Sequence, residues 1–267
     1  MQQLLKYKTL EVRFLEYFSR HGFTLIDTSF IESLKWSQLT SDDLKQMGER
    51  SVWQNGEMIY ALRNDFTDQL VRYYQHYPLQ DFAIAYSGPI VRHQQVHTQL
   101  GLECYNPTIQ DIHQAFKFFY TYIQSELNAD IQYVVIGHYQ LIDLLLDQKE
   151  NTEDILTLIT QRNISELKVK LGVQHPIVQL LLTPTHQQLE RLNSIYNVEH
   201  HIIASLNRWA TFFKSLGLNE IHLDITPLAP RSYYKGTFVK AHLTDERVLS
   251  GGYYNNGLEG FGLGLTL

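Results

Sequence analysis

The chain of 267 residues has one cysteine, Cys104. A single thiol excludes an intrachain disulfide and a multi-cysteine zinc site. It fits a reducing compartment and a buried apolar role. No apolar run reaches the length of a membrane span. The start, MQQLLKYKTLEV, lacks the pattern of a signal peptide, so a cytoplasmic protein is expected. Positive charge is not in excess: 22 Lys and Arg stand against 28 Asp and Glu, a formal net charge of −6. Nucleic acid normally meets a basic surface, and this balance argues against that partner. No glycine cluster leads into Lys-Ser/Thr, which excludes a P-loop. Gly260, Gly262 and Gly264 instead alternate along an apolar run and, with Gly251-Gly252, predict close backbone approach to a ligand or strand. No Ser-His-Asp or Cys-His arrangement is legible from sequence order. Nor does an acidic pair precede a run of small residues, as at a phosphoribosyl-diphosphate site. Repeats and low-complexity linkers are absent.

What is present is an ordinary globular balance, 44% hydrophobic and 19% charged. The length allows one or two domains with a substantial core. Leu4, Leu5, Leu10, Val12, Phe14, Leu15 and Phe18 predict a helix over 2–20, with Gly22 as its stop. A short strand is expected over 23–28 and a helix over 37–48. Strands follow over 50–62 and 81–105, with a helix over 66–76 between them. Asn55-Gly56 between two apolar runs is a hairpin signal, because both residues tolerate positive φ. Ile112, Phe116, Phe119 and Ile123 mark one side of a long helix from 108. A strand at 131–138 precedes a run of short helices over 139–216. Strands resume at 221–226, 232–242, 247–254 and 261–267. The economical architecture is α+β: a discontinuous core of 1–107 and 217–267 with a mostly helical insertion over 108–216.

The chemistry concentrates in 84–107, IAYSGPIVRHQQVHTQLGLECYNP. Gln99 and Glu103 are four apart, so on a strand they share a face. Arg92 arrives from the preceding run. A guanidinium, an amide and a carboxylate on one sheet face suit a small zwitterion. The alternative is a salt-bridge cluster on an open sheet face. Upstream, Asp65 and Thr67 sit where a strand turns into a helix, and either can cap it. His93 and His97 would suit a metal on a helix; here they flank a turn between strands with no third ligand, so no metal is expected.

Several segments together resemble the histidyl-tRNA synthetase family. LRNDFTDQLVR is similar to its LRP(E/D)xTxxxxR segment, and IVRHQQ with QLGLE to its motif 2, FRxE followed by QxGxE. SYYKGTFV resembles YYTGxxFE, and LSGGYYNNGLEGFGLGLTL resembles GGRYDxL with GFxxGxER. GFTLIDTSFIE resembles the motif 1 region. The matches run in the family's order from about residue 10 to the last. The resemblance implies a class II synthetase-like antiparallel sheet flanked by helices. It also implies a histidine pocket made by Asp65, Thr67, Arg92, Gln99, Glu103, Tyr233 and Tyr234.

The departures matter as much. Gln94 replaces the motif 2 glutamate, and the long motif 2 loop is cut to a tight turn. Tyr253 and Leu267 stand where the family has arginines, and Arg231 lies two residues before Tyr233, not four. Adenylation needs cations on the triphosphate, and those cations are missing. The sequence also stops where the family's catalytic core stops, so no anticodon-binding domain is expected. A synthetase-like core without ATP chemistry resembles the regulatory subunits of ATP phosphoribosyltransferase. That resemblance implies a non-catalytic chain without cofactor. Its partners would be a short catalytic subunit of that enzyme, a second copy of itself and free histidine. The alternatives are a stand-alone amino-acid-activating enzyme and an assembly scaffold that binds no ligand.

Overall fold

A computed structural model describes residues 2–48, 50–77, 82–225 and 229–267. The expected strand positions Asp81 and Thr226 lie outside them, as does the side chain of Leu4. In chain order the elements are α1 (Gln2–Arg20), β1 (Thr24–Leu25), β2 (Ile31–Lys35), α2 (Ser41–Gln46), β3 (Val52–Asn55), β4 (Met58–Leu62), α3 (Phe66–His76), β5 (Ala83–Arg92), β6 (Gln95–Tyr105), α4 (Ile109–Glu126) and β7 (Ile131–His138). There follow α5 (Leu141–Leu145), α6 (Glu153–Thr160), α7 (Ile164–Leu171), α8 (Pro176–Leu182), α9 (Gln188–Ile195), α10 (His201–Ser215), β8 (Ile221–Asp224), β9 (Tyr234–Leu243), β10 (Val248–Asn255) and β11 (Glu259–Thr266). The fold is α+β. It comprises two compact units, one of 1–130, 231–233 and 247–267, the other of 131–230 and 234–246.

In the first unit a mixed sheet runs β1-β5-β6-β11-β10, and a smaller antiparallel sheet runs β2-β4-β3. Leu10, Phe14 and Phe18 recur every fourth residue and are buried, whereas Leu5 and Val12 are exposed. A full helical period separates the first three, while the other two rotate off that stripe. Both α1 and α4 cover one sheet face: Tyr122 donates to the Leu10 carbonyl at 2.8 Å, and Ser87 on β5 lies 3.4 Å from Glu11. Thr108 and Asp111 form a reciprocal capping box that starts α4. The expected helix over 37–48 is broken. A 3-10 turn at Trp36–Gln38 precedes α2, because Thr40 and Asp43 form a second capping box and nucleate a new helix there. The strand expected at 23–28 shrinks to β1, which pairs in parallel with Ile84 and Ala85. Asn55-Gly56 makes the β3–β4 hairpin, with Gly56 at φ 61.

In the second unit β7 lies between β9 and β8, antiparallel to the first and parallel to the second. Helix α10 buries Ile202, Leu206, Trp209 and Phe213, and Ser205 meets Thr237 of β9 at 2.6 Å.

Candidate functional site

The β5–β6 ladder sets the site's floor. Arg92 pairs with Gln95, Gly88 with Gln99, Tyr86 with Gly101 and Ile84 with Glu103. Residues 86, 88 and 92 therefore share a face with 99, 101 and 103, opposite the face that α1 covers. Helix α3 closes over this second face. Its Phe66 ring stacks on Tyr86 at 4.3 Å, and Thr67 donates to Glu103 Oε1 at 2.5 Å.

Glu103 has no solvent exposure. Tyr86 also donates to Oε1, at 3.2 Å, and Tyr254 donates to Oε2 at 3.0 Å. Three hydroxyls thus serve one carboxyl, and among the described residues no cation pairs with it. Desolvation pushes its pKa up to about 8, only partly offset by the hydroxyl bonds from Thr67 and Tyr254. Its ladder partner is Gly262. A Cβ there would sit 2.6 Å from Oε2, so any other residue would collide with the acid. Gly101 gives the Tyr86 ring the same room, since a Cβ would approach it to 2.3 Å. Gln99 is buried, and its Oε1 has no hydrogen-bond partner. Among the described residues no donor reaches this acceptor.

Asp65 is the N-cap of α3, accepting from the Asp68 N–H at 3.2 Å. Its other oxygen accepts from Arg92 at 3.0 Å, and the Arg92 Nε donates to the Asn64 carbonyl at 3.0 Å. Both charged side chains remain partly exposed, at 42% and 29%. The structure therefore brings Asp65 and Arg92 into one pair, and Thr67 and Glu103 into another. Tyr233 is buried, and its hydroxyl donates to Asp68 Oδ1 at 3.1 Å. Tyr234 belongs to the second unit, where its ring lies 5.7 Å from that of Tyr139.

Sequence reasoning missed Tyr86, Tyr254, Asp68 and Arg231. Even spacing from Arg92 on β5 was a usable signal for Tyr86. Arg231 is buried and reaches Asp68 at 2.8 Å. Arg72 donates to Asp68 at 2.6 Å and to Asp43 at 3.3 Å, and it also pairs with Glu32. Arg50 completes the network on Glu32 at 2.6 Å. Nothing in linear order announces these partners, which come from five separate segments. Two family arginine positions carry uncharged residues instead. The Tyr253 ring lies 4.9 Å from Phe261, and the Leu267 N–H donates to the Thr98 carbonyl. His93 and Gln94 are the whole connection between β5 and β6. No group of histidines, cysteines or acids suited to a metal occurs among the described residues.

A histidyl-tRNA synthetase family model matches residues 2–265. An ATP phosphoribosyltransferase regulatory subunit from Staphylococcus aureus (strain MRSA252) is 47% identical over 268 residues, covering 100% of this chain and 98% of the relative. A protein of the same name from Staphylococcus epidermidis is 48% identical over 266 residues, covering 99% and 98%. Among solved structures, an ATP phosphoribosyltransferase regulatory subunit/histidyl-tRNA synthetase from Bacillus halodurans superposes with a TM-score of 0.77 at 17% identity, covering 100% of this chain and 78% of that one. A chain of an ATP phosphoribosyl transferase (HisG:HisZ) complex from Thermotoga maritima gives 0.73 at 18%, covering 98% and 97%. At such identities these two likenesses establish the fold, which is that of the class II synthetases.

Proposed function

The chain belongs to the histidyl-tRNA synthetase family, among the ATP phosphoribosyltransferase regulatory subunits, and from that premise we propose that it serves as the non-catalytic subunit of that enzyme in histidine biosynthesis. The observation that carries this is identity of 47% along the full length of a protein so named. Catalysis then resides on a partner chain. The two-residue connection between β5 and β6 supports this, since it leaves no loop to close over ATP.

The pocket's proposed ligand is free histidine. Glu103 is a buried carboxyl with no cation beside it among the described residues, suited to an imidazole proton. The Gln99 acceptor lacks a donor that the ligand would supply. Arg92 offers its partly exposed guanidinium to a carboxylate, and Asp65 and Thr67 offer oxygens to an ammonium. Tyr233 completes the set by resemblance. In this reading the chain also pairs with a second copy of itself, meets no nucleic acid and works in the cytoplasm. No described helix is long and apolar enough to cross a membrane.

The test is reconstitution. The purified chain and the short catalytic subunit of the same cell should co-elute, and phosphoribosyl-ATP synthesis should rise when both are present. Full synthesis without this chain, unchanged in rate and feedback on its addition, would sink the assignment. Histidine-dependent ATP–pyrophosphate exchange by the chain alone would restore the amino-acid-activating alternative.

A further inference from the structure

Two histidines of the second unit sit where backbone N–H groups need an acceptor. His138 ends β7, and its Nδ1 accepts from the Gln140 N–H at 3.2 Å, just ahead of α5. His175 caps α8, and its Nδ1 accepts from the Ile177 N–H at 3.3 Å. A ring nitrogen that accepts carries no proton, so adding one breaks the contact. The two differ in their surroundings. Glu150 lies 3.3 Å from the other ring nitrogen of His175. The charged groups that bear on His138 are His201 and His200. The His201 ring lies 6.3 Å from that of His138, and the His200 ring 4.6 Å from that of His201. We propose that this histidine cluster is an acid-sensitive clasp: proton uptake by His138 loosens α10 from β7 inside the second unit.

Three observations carry the proposal. First, His138 is 6% exposed, on the sheet face that α10 covers. Its β9 partner Thr237 is buried as well and meets Ser205 of α10 at 2.6 Å. Asp224 pairs with Gly137 and so lies on the opposite face, where it holds Lys240. Burial lowers the His138 pKa from 6.5 to about 4, and His201 and His200 add to the effect. Second, α10 begins with His200 as N-cap and His201 as its first residue, with no side-chain cap bond and no acid in its first turn. Helices α6 and α7 begin instead with the capping side chains of Thr152 and Asn163, and with Glu153, Asp154 and Glu166 in their first turns. The positive end of a helix disfavours added positive charge, and α10 has no acid there to offset it. Third, the Nδ1 of His200 is buried without a hydrogen-bond partner, so a proton placed on it would find no acceptor.

The sign follows from His138. A histidine pKa lowered by folding contributes stability that is full above 6.5 and is lost as pH falls toward about 4. Glu103 acts with the opposite sign in the first unit, so the readout must be local.

The experiment is amide hydrogen exchange of the whole chain from about pH 7 down to about pH 4.5, corrected for intrinsic exchange rates. The protected amides of α5 and α10 should open more readily by roughly tenfold per pH unit below 6.5, while those of α6 and α7 hold. His138→Asn keeps an acceptor for the N–H two residues on, as in an Asx-turn, but does not titrate. Its acceleration should vanish. A second variant guards against misfolding of the first. His201→Glu places an acid near His138 at an exposed position in the first turn of α10, where a helix favours it. By easing the proton onto folded His138 it should reduce the acceleration at about pH 5 by about twofold or more. Undiminished acceleration in either variant, or equal acceleration in α6 and α7, would overturn the proposal.

Discussion

Thr67 and Asp68 are neighbours on α3, yet they face two buried acidic settings of opposite kind. Asp68 accepts from the guanidinium groups of Arg72 and Arg231 and from the Tyr233 hydroxyl. Glu103, which Thr67 meets, accepts from the hydroxyls of Thr67, Tyr86 and Tyr254. Burial alone therefore does not fix what a carboxylate is for. Two cations tie Asp68 into a scaffold that reaches Glu32, Asp43 and Arg50. Glu103 is held in place but, among the described residues, has no counter-charge, the condition a cation-bearing ligand would satisfy.

The sharpest way to break this contrast is Asp68→Ala. It would leave the buried Arg231 and the half-buried Arg72 without this carboxylate and remove an acceptor of the Tyr233 hydroxyl. Removing one side of a buried pair costs about 3–5 kcal/mol. The denaturant midpoint in urea should fall accordingly, and a loss below ~1 kcal/mol would mean the network is not structural.

The Glu103 side of the contrast shows in pH. Its folded pKa is raised from 4.5 to about 8. A carboxyl raised in the folded state makes its full contribution below the unfolded value. That contribution declines as pH rises past 4.5 and is lost once pH exceeds about 8. Unfolding free energy should drop by a few kcal/mol over that window. Glu103→Gln keeps the shape without the titration and should flatten the slope. An identical slope in the variant would place the titrating group elsewhere.

Ligand binding is the next smaller effect. Glu103→Ala should weaken histidine inhibition of the reconstituted complex at least about tenfold, which needs only ~1.4 kcal/mol. Assembly should persist, and Glu103→Gln should be intermediate. Unchanged inhibition constants in both variants would leave the pocket a relic and require sensing to occur elsewhere.

These two settings were unequally legible in the sequence. Gln99 and Glu103 could be placed on one face because strand periodicity is strict, and the hairpin at Asn55-Gly56 follows from local φ preference. Helix α4 was visible in its apolar spacing. The Asp68 network was not, because Glu32, Asp43, Arg50, Asp68 and Arg231 converge through tertiary structure and no local rule links them. Tyr254 reached Glu103 for the same reason, across β11 rather than along its own strand. Helix ends fared worst: the break before α2 depends on Thr40 and Asp43 capping each other, a contest between two starts that periodicity does not register.

Asp65 sits between the two settings, and its substitution should have the smallest effect on stability. It caps α3 and also meets Arg92. Asp65→Asn keeps a side-chain acceptor for the cap, since Asn caps about as well as Asp. The ion pair it breaks is partly exposed, and such pairs contribute about 0–1 kcal/mol. Melting should therefore shift little. The negative charge of Asp65 also helps to raise the pKa of Glu103. Its removal should move the Glu103-linked loss of stability to lower pH. In the proposed pocket the same charge faces the histidine ammonium, so calorimetry should show weaker histidine binding despite near-normal stability. If histidine affinity is unchanged while the pH midpoint moves, Asp65 acts as a cap and a field on Glu103 and does not touch the ligand.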